Sequence, residues 1–230
     1  MIITIDGPSG SGKSTLAVMI AKKLHFSCLN SGYLYRGLTY VLHTFYGYNE
    51  QDLQNPDIAD LQAILQSGDF EYVYEFGLAK VFWAKNDITI NLKNPEISTW
   101  SAYLAQNEKV RALIHVFIHD LIKDHDTVVE GRACGSVLFP QAEVKFYLVA
   151  SQQVRALRLH RDQIKRGHLL LMQEALEQIR LRDKMDRERL VEPLVKPEGA
   201  FELDSSVDDP EQVLQKALEH IKQTLHVIHS

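Results

Sequence analysis

Cysteine is scarce in these 230 residues: only Cys28 and Cys134 are present, with no Cys-x-x-Cys spacing. That excludes a disulfide framework and makes a reducing compartment the expectation. Positive charge is not in excess either. Against 30 Asp and Glu stand 25 Lys and Arg, a net charge of −5, whereas a general nucleic-acid binder is usually basic. No nucleic-acid partner is therefore expected, although local basic clusters leave room for a small anionic substrate. No apolar run approaches the roughly 18 residues of a spanning helix. The opening MIITIDG has no charged n-region, long apolar h-region or cleavage site. A cytoplasmic protein with no membrane partner is the expectation. Internal repeats and low-complexity segments are also missing. What remains is an ordinary globular composition, 45% hydrophobic and 24% charged, with room for one substantial domain carrying insertions.

Ile2-Ile3-Thr4-Ile5 is a short β-branched run bounded by Asp6-Gly7, a buried strand by pattern. A helix over Lys13–Leu24 follows. Phe26–Leu29 reads as a second strand, Leu34–Phe45 as a second helix, and Asp57–Gln66 as a helix closed by Ser67-Gly68. The segments Asp69–Glu75, Ala79–Lys85 and Ile88–Asn91 are β-rich and turn-punctuated, a small antiparallel insertion. Helices are predicted from Pro95 past Trp100 and over Lys109–Lys123. Thr127–Glu130 and Val144–Val149 read as buried strands, and Gln152–Lys165 and Leu169–Leu190 as long helices around Arg166-Gly167. Phe201–Asp204 is the last strand. Asp208-Asp209-Pro210-Glu211 opens a C-terminal helix. Strands alternating with helices imply a mostly parallel sheet with helices on both faces.

Between the first strand and helix, Gly7-Pro8-Ser9-Gly10-Ser11-Gly12-Lys13-Ser14 fits G-x-x-x-x-G-K-[ST] at every fixed position, followed by Thr15. Glycines let backbone N–H groups converge on phosphate oxygens, and the helix start directs its positive end at the same place. Lys13 brings a full charge to the β- and γ-phosphates, and Ser14 a hydroxyl for Mg²⁺. The loop is read as holding a nucleoside triphosphate, ATP foremost, with Mg²⁺. Three further segments bear on the acceptor: Ser31–Arg36, Arg132 after the third core strand, and Arg180–Arg189. In the last, Arg182, Asp186 and Arg189 fall at i, i+4 and i+7, on one helical face. Several arginines near strand ends suit a second phosphorylated molecule. Glu130, ending an apolar strand, is a candidate to orient Mg²⁺-bound water, or simply a solvated carboxylate.

The stretches ITIDGPSGSGKST, SGYLYR, DITINL, EGRACGSVLFP, VKFYLVAS, RLRDKMDRER with PLV, and FELDSS fall in one order and spacing. Together they resemble bacterial cytidylate kinases, the (d)CMP kinases of the nucleoside monophosphate kinase group, over nearly the whole chain. The resemblance implies a three-layer P-loop fold with a central five-stranded parallel sheet. It implies a core of 1–62, 96–153 and 169–230, a monophosphate-binding insertion at about 63–95, and a mobile lid at about 154–168. It implies ATP-dependent phosphoryl transfer to CMP and dCMP by a monomer. Ser31, Tyr35 and Arg36 would line the monophosphate site. Arg36 and Arg132 would grip the acceptor phosphate, and Arg111 the base or phosphate. Arg182 and Asp186 would hold the ribose, and Arg155, Arg158 and Arg189 would close on the transferring group. Lys13, Arg132, Arg158 and Arg189 would be the catalytic set, with Ser14 and Glu130 at the metal.

The chain departs from the family pattern at several positions. Ala133 stands where an Asp helps read cytosine, and Ala102 where a Ser contacts the base, with Ser101 beside it. Asn30 replaces an Asp, Lys93 an Arg, and Leu159 a second lid Arg. Ala cannot accept a hydrogen bond from the cytosine amino group. Three readings stay open: CMP kinase with relaxed base reading, preference for another monophosphate such as UMP, or a divergent ATP-binding homologue with weak activity. Two others are a kinase of a small hydroxylated metabolite and a nucleotide-dependent switch. The ribose-type pair Arg182 and Asp186 argues against the first of these. The want of an Asn-Lys-x-Asp stretch argues against the second. His115 and His119, one helical turn apart, lack an evident third metal ligand. Cys134, Trp83 and Trp100 read as packing residues.

Overall fold

A computed structural model describes residues 1–75 and 77–228. In chain order the elements begin with β1 (Ile2–Asp6), α1 (Lys13–Leu24), β2 (Ser27–Asn30), α2 (Ser31–Tyr46), α3 (Glu50–Gln54) and α4 (Ile58–Gln66). Next come β3 (Phe70–Glu75), β4 (Leu78–Trp83), β5 (Asn86–Asp87), α5 (Pro95–Leu104) and α6 (Glu108–Ile122). Then follow β6 (Thr127–Gly131), β7 (Val144–Val149), α7 (Gln152–Lys165), α8 (Met172–Glu188), β8 (Phe201–Asp204) and α9 (Pro210–Ile228). A five-stranded sheet has the order β2-β6-β1-β7-β8, and β3-β4-β5 form a second, three-stranded one. From β1 the chain steps one way to β2, and from β6 through β7 to β8 it steps the other way. Right-handed crossovers then place helices on both faces. This is the three-layer architecture expected. The chain forms two compact units, Met1–Phe26 with Thr127–Ser230, and Ser27–Asp126.

In the first unit β1 pairs in parallel with β6 and with β7, and β7 with β8. The β1 and β6 runs are apolar on both faces because both faces are covered, as in parallel sheets generally. Ile3, Ile5, Val128, Val129 and Phe146 are fully or almost fully buried. The register sets Asp6 beside Gly131 and Tyr147, so the segments after β1, β6 and β7 leave the sheet at the same level. After β6 the chain turns through a wide π-type turn, Cys134–Leu138. Helices α7 and α8 are joined by a tight turn in which Gly167 adopts φ 81°. They pack through Ala156, Leu170, Ala175 and Ile179, with Leu159 and Leu176 at the margin.

In the second unit, α2 begins at an Asn30 cap whose side chain accepts from the Tyr33 amide at 3.1 Å. A Cβ on Gly37 of this helix would lie 2.9 Å from the Phe70 ring. The antiparallel insertion is present with two changes from the sequence reading. Its third strand is Asn86–Asp87, not Ile88–Asn91. The Asp87 carboxylate takes the Thr89 amide at 2.9 Å, and Thr89 Oγ1 takes the Val81 amide at 2.9 Å. Side chains thus replace the ladder, and the chain turns into a 3-10 turn at Asn91–Lys93. Helix α3 was not expected; Asn49 and Asp52 form a capping box around it.

The strands Val144–Val149 and Phe201–Asp204 and the helix Gln152–Lys165 lie where the pattern placed them. Helix α8 is shorter at both ends than predicted. Its C-terminal cap, Arg189, leaves the helical conformation with ψ 141°. Arg189 therefore does not continue the helical face of Arg182 and Asp186.

A buried ion pair ties α7 to α8. Arg155 Nη1 and Nη2 each donate to one oxygen of Asp183 at 2.7 Å, and Nε donates to the Ala150 carbonyl at 2.9 Å. Both side chains are almost fully buried, so removing one charge strands the other. Asp183→Asn is expected to lower the unfolding free energy by about 3–5 kcal/mol in urea titrations; a loss under about 1 kcal/mol would show the pair to be solvated.

Candidate active site

The phosphate loop leaves β1 at Asp6 and enters α1 at Lys13. Gly7 has φ 150°, and a Cβ there would lie 2.1 Å from the Leu148 carbonyl oxygen. Only glycine lets the loop pass this close to β7. Gly12, at φ 95°, precedes α1 without any side-chain cap, so an anion can satisfy the first amides of the helix. Lys13 is 5% exposed and donates to the Pro8 carbonyl at 2.8 Å.

Burial, and then the Arg132 guanidinium, lower the Lys13 ammonium to about 7; Glu130, Asp186 and Asp6 act in the opposite direction. Glu130 is level with Ile5 in the sheet, and its Oε1 accepts from Ser14 Oγ. Asp6 is fully buried and accepts from the Cys134 and Gly135 amides at 2.8 and 2.7 Å. Burial raises its carboxyl pKa against the pull of those amides, Lys13 and Arg132.

Arg132, Arg182 and Asp186 come together. Arg132 Nε donates to Asp186 Oδ2 at 2.7 Å, and Arg182 Nε lies 3.4 Å from the same carboxylate. Burial works to raise the Asp186 pKa, but Arg132 and Arg182 outweigh it and hold the group well below the usual carboxylate range. Burial lowers Arg182. Arg189 Nε donates to the Glu192 carbonyl at 2.6 Å. Two of the three α7 arginines bond to carbonyls of the loop. Arg155 Nη1 donates to Ser9 O at 3.2 Å, and Arg158 Nη1 to Gly10 O at 3.1 Å.

The remaining predicted residues belong to the second unit. Arg36 Nε donates to Gly32 O at 2.9 Å, and its guanidinium sits 4.8 Å from the Tyr33 ring centre. Arg111 Nη1 donates to Ala105 O at 3.1 Å, with the guanidinium 5.4 Å from the Tyr35 ring centre. Ser31 opens α2. Ser101 Oγ donates to Ser98 O at 2.8 Å within α5.

Two residues were missed by the sequence reading. Asp6 holds the turn after Arg132, and its only signal was a carboxylate closing an apolar strand. Ser205, after β8, hydrogen-bonds the loop at Ser11 O at 2.8 Å. No local pattern marks it. As to metal, no group of three or more His, Cys, Asp or Glu side chains gathers among the described residues. Ser14 and Glu130 supply two adjoining oxygens. That donor set fits Mg²⁺, which takes few protein ligands and completes its shell with phosphate and water.

The cytidylate kinase family model matches residues 3–223. The chain belongs to the cytidylate kinase family. It is 38% identical over 222 residues to the cytidylate kinase of Chlamydia felis, covering 95% of this chain and 96% of that one. It is 33% identical over 221 residues to that of Carboxydothermus hydrogenoformans, covering 96% and 97%. Among solved structures, a gluconokinase from Sinorhizobium meliloti is similar at 13% identity and a TM-score of 0.47, covering 99% of this chain and 94% of its own.

Two departures from the cytidylate kinase pattern have a structural account. Leu159 packs on the α7–α8 apolar cluster, where a charged residue would be desolvated. Asn30 caps α2 through its side-chain oxygen, a task either Asn or Asp performs. Ala133 is 4% exposed and opens the π-type turn through its carbonyl, which accepts from Val137 and Leu138. Its methyl group offers no polar atom. No helix of the described residues is long and apolar enough to cross a membrane.

The buried ammonium has a pH signature. The folded chain releases the Lys13 proton from about pH 7, and the ordinary value is 10.5. Between these the unfolded state binds the extra proton, so stability rises with pH. Relative to Lys13→Met, the native chain is expected to gain about 2–3 kcal/mol between pH 7 and 9, at ~1.4 kcal/mol per unit. Urea titrations at both pH values check this; no pH-dependent difference would mean that the ammonium is solvated.

Proposed function

We propose that the chain is a (d)CMP kinase, moving the γ-phosphoryl group of ATP to CMP or dCMP. One observation carries the reading: Lys13, buried where the phosphate loop enters α1, has the partly buried Arg132 guanidinium near enough to disfavour its charge. A phosphorylated ligand relieves that repulsion, and phosphoryl transfer brings two such ligands together.

Residues Gly7–Thr15 hold the ATP phosphates. Ser14 and Glu130 would hold Mg²⁺, which when bound would supply neutralising charge to the phosphates. A CMP phosphate oxygen, already ionised, attacks the γ-phosphorus. The bond to the β–γ bridging oxygen breaks, giving CDP and ADP. No strong base is needed; positioning and charge neutralisation supply the acceleration. Arg36 and Arg132 are assigned to the acceptor phosphate, Ser31, Tyr35 and Arg111 to the monophosphate, and Arg182 and Asp186 to its ribose. Arg158 and Arg189 are assigned to the transferring group, Arg189 having to exchange the Glu192 carbonyl for phosphate. The stretch 154–168 is proposed as the lid, 63–95 as the monophosphate-binding part, and the protein as a cytoplasmic monomer.

A second reading, shared use of UMP, has no support from the relatives and is raised by Ala133 alone, whose side chain cannot accept the cytosine amino proton. A coupled ADP-release assay with MgATP against CMP, dCMP, UMP, AMP and GMP tests both. Turnover on CMP and dCMP is expected, with UMP within about one to two decades of CMP. Strict rejection of UMP would remove the second reading, and no turnover on any of them would sink the first.

Binding of ATP should also recharge Lys13. Close to one proton is expected to be taken up at pH 8.5, and little near pH 6, where the ammonium is already protonated. Calorimetry in buffers of different ionisation heat measures this. Equal uptake at both pH values would remove Lys13 from the phosphates.

A further inference from the structure

Four successive carbonyls of the phosphate loop, Pro8 to Ser11, each accept a side-chain hydrogen bond. The donors are Lys13 Nζ, Arg155 Nη1, Arg158 Nη1 and Ser205 Oγ, at 2.8, 3.2, 3.1 and 2.8 Å. In a trans peptide the carbonyl and the next amide point in opposite directions. Fixing these carbonyls on their donors therefore turns the amides of residues 9, 10 and 12 the other way, toward the phosphates in the ATP reading, while the Ser11 amide donates within the loop to the Pro8 carbonyl at 3.4 Å. Lys13 belongs to the loop's own helix. The other three donors come from α7 and from the residue that follows β8.

Ser205 is the joint among them. It is 6% exposed, and its amide is already bonded to Val149 O at 2.9 Å. Its single hydroxyl proton has Ser11 O at 2.8 Å and Val149 O at 3.2 Å within reach. Since Val149 O already receives an amide, the shorter bond to Ser11 is the better use of that proton. The same oxygen accepts from Arg158 Nη1 at 3.1 Å, and the Ser205 carbonyl accepts from Arg158 Nη2 at 2.6 Å. Ser205 thus orients the Ser11–Gly12 peptide directly. By gripping the Arg158 guanidinium it orients the Gly10–Ser11 peptide as well.

We propose that Ser205 is a positioning residue for the phosphoryl donor. It acts through the loop backbone on the donor's phosphate chain and not on its base. This deepens the reading of the loop as the ATP site and rests on it. Ser205→Ala leaves the buried Ser11 carbonyl without its donor and removes the hydroxyl contact of Arg158, which keeps only the backbone carbonyls of Ser205 and Gly10.

The test compares Ser205→Ala and Ser205→Thr with the native chain in binding MgADP and inorganic tripolyphosphate, which has no base. Ser205→Ala is expected to weaken both by about tenfold, and Ser205→Thr, which keeps the hydroxyl, to stay within about threefold of native. In turnover, the KM for ATP should rise with the alanine change while the KM for CMP stays. Native tripolyphosphate affinity in a folded Ser205→Ala protein would overturn the proposal, whether ADP binding falls or not. A fall in ADP binding alone would place Ser205 on the nucleoside. Urea titration of each variant separates loss of fold from loss of affinity. Should the alanine variant not fold, Ser205→Cys, with similar bulk and a weaker donor, carries the same comparison. A native chain that binds tripolyphosphate but turns over no monophosphate would sink the kinase reading and leave this one standing. A native chain that binds neither tripolyphosphate nor ADP would end both.

Discussion

A buried lysine and a partly buried arginine at the ends of parallel strands are the constraint around which the first unit is built. Lys13 starts α1 and Arg132 follows β6, and the strand register brings Asp6 level with Gly131, so the two segments leave the sheet side by side. Uncompensated, such a pair would resist folding. The chain supplies carboxylates on every side. Asp6 lies behind, with two amides locking it in place. Glu130 sits at the end of the neighbouring strand, and Asp186 on α8 with Arg132 in direct contact. At Lys13 burial still outweighs these carboxylates, and its ammonium stays well below the usual lysine range. A desolvated lysine regains its charge beside a bound anion, and the family's chemistry brings one.

The same economy explains α7. An arginine-rich helix would ordinarily be a solvated face. Here Arg155 is bidentate to Asp183 and Arg158 is wrapped around Ser205, and both reach the loop. Their hydrogen bonds hold backbone carbonyls, so the two side chains belong to the architecture of the loop as much as to any ligand.

What could be read in the sequence was local or periodic. The strand Val144–Val149 stands out as a mostly apolar run and Phe201–Asp204 as an apolar–acidic alternation, and the phosphate loop carries its own spacing. The contacts that give the loop its form are not periodic. Ser205 meets Ser11, and Asp6 meets the Cys134 and Gly135 amides, across more than a hundred residues in each case. No window of the sequence contains both partners. Arg189 misled for a different reason: i, i+4, i+7 spacing presumes that the helix persists, and α8 stops at Glu188. The strand expected at Ile88–Asn91 failed because Asp87 and Thr89 turn their side chains onto the backbone, a competition that hydrophobic pattern does not register.

The packing of α7 on α8 has a mechanical side. Ala156 and Leu159 on one helix mesh with Leu170, Ala175, Leu176 and Ile179 beyond the turn, and the Arg155–Asp183 pair rivets the two together. Sliding one helix along the other would open voids and tear a buried charge pair apart, while turning both as one stiff lever would do neither. The far arm of that lever carries Arg182 and Asp186. Any swing of α7 is therefore felt at the carboxylate that grips Arg132.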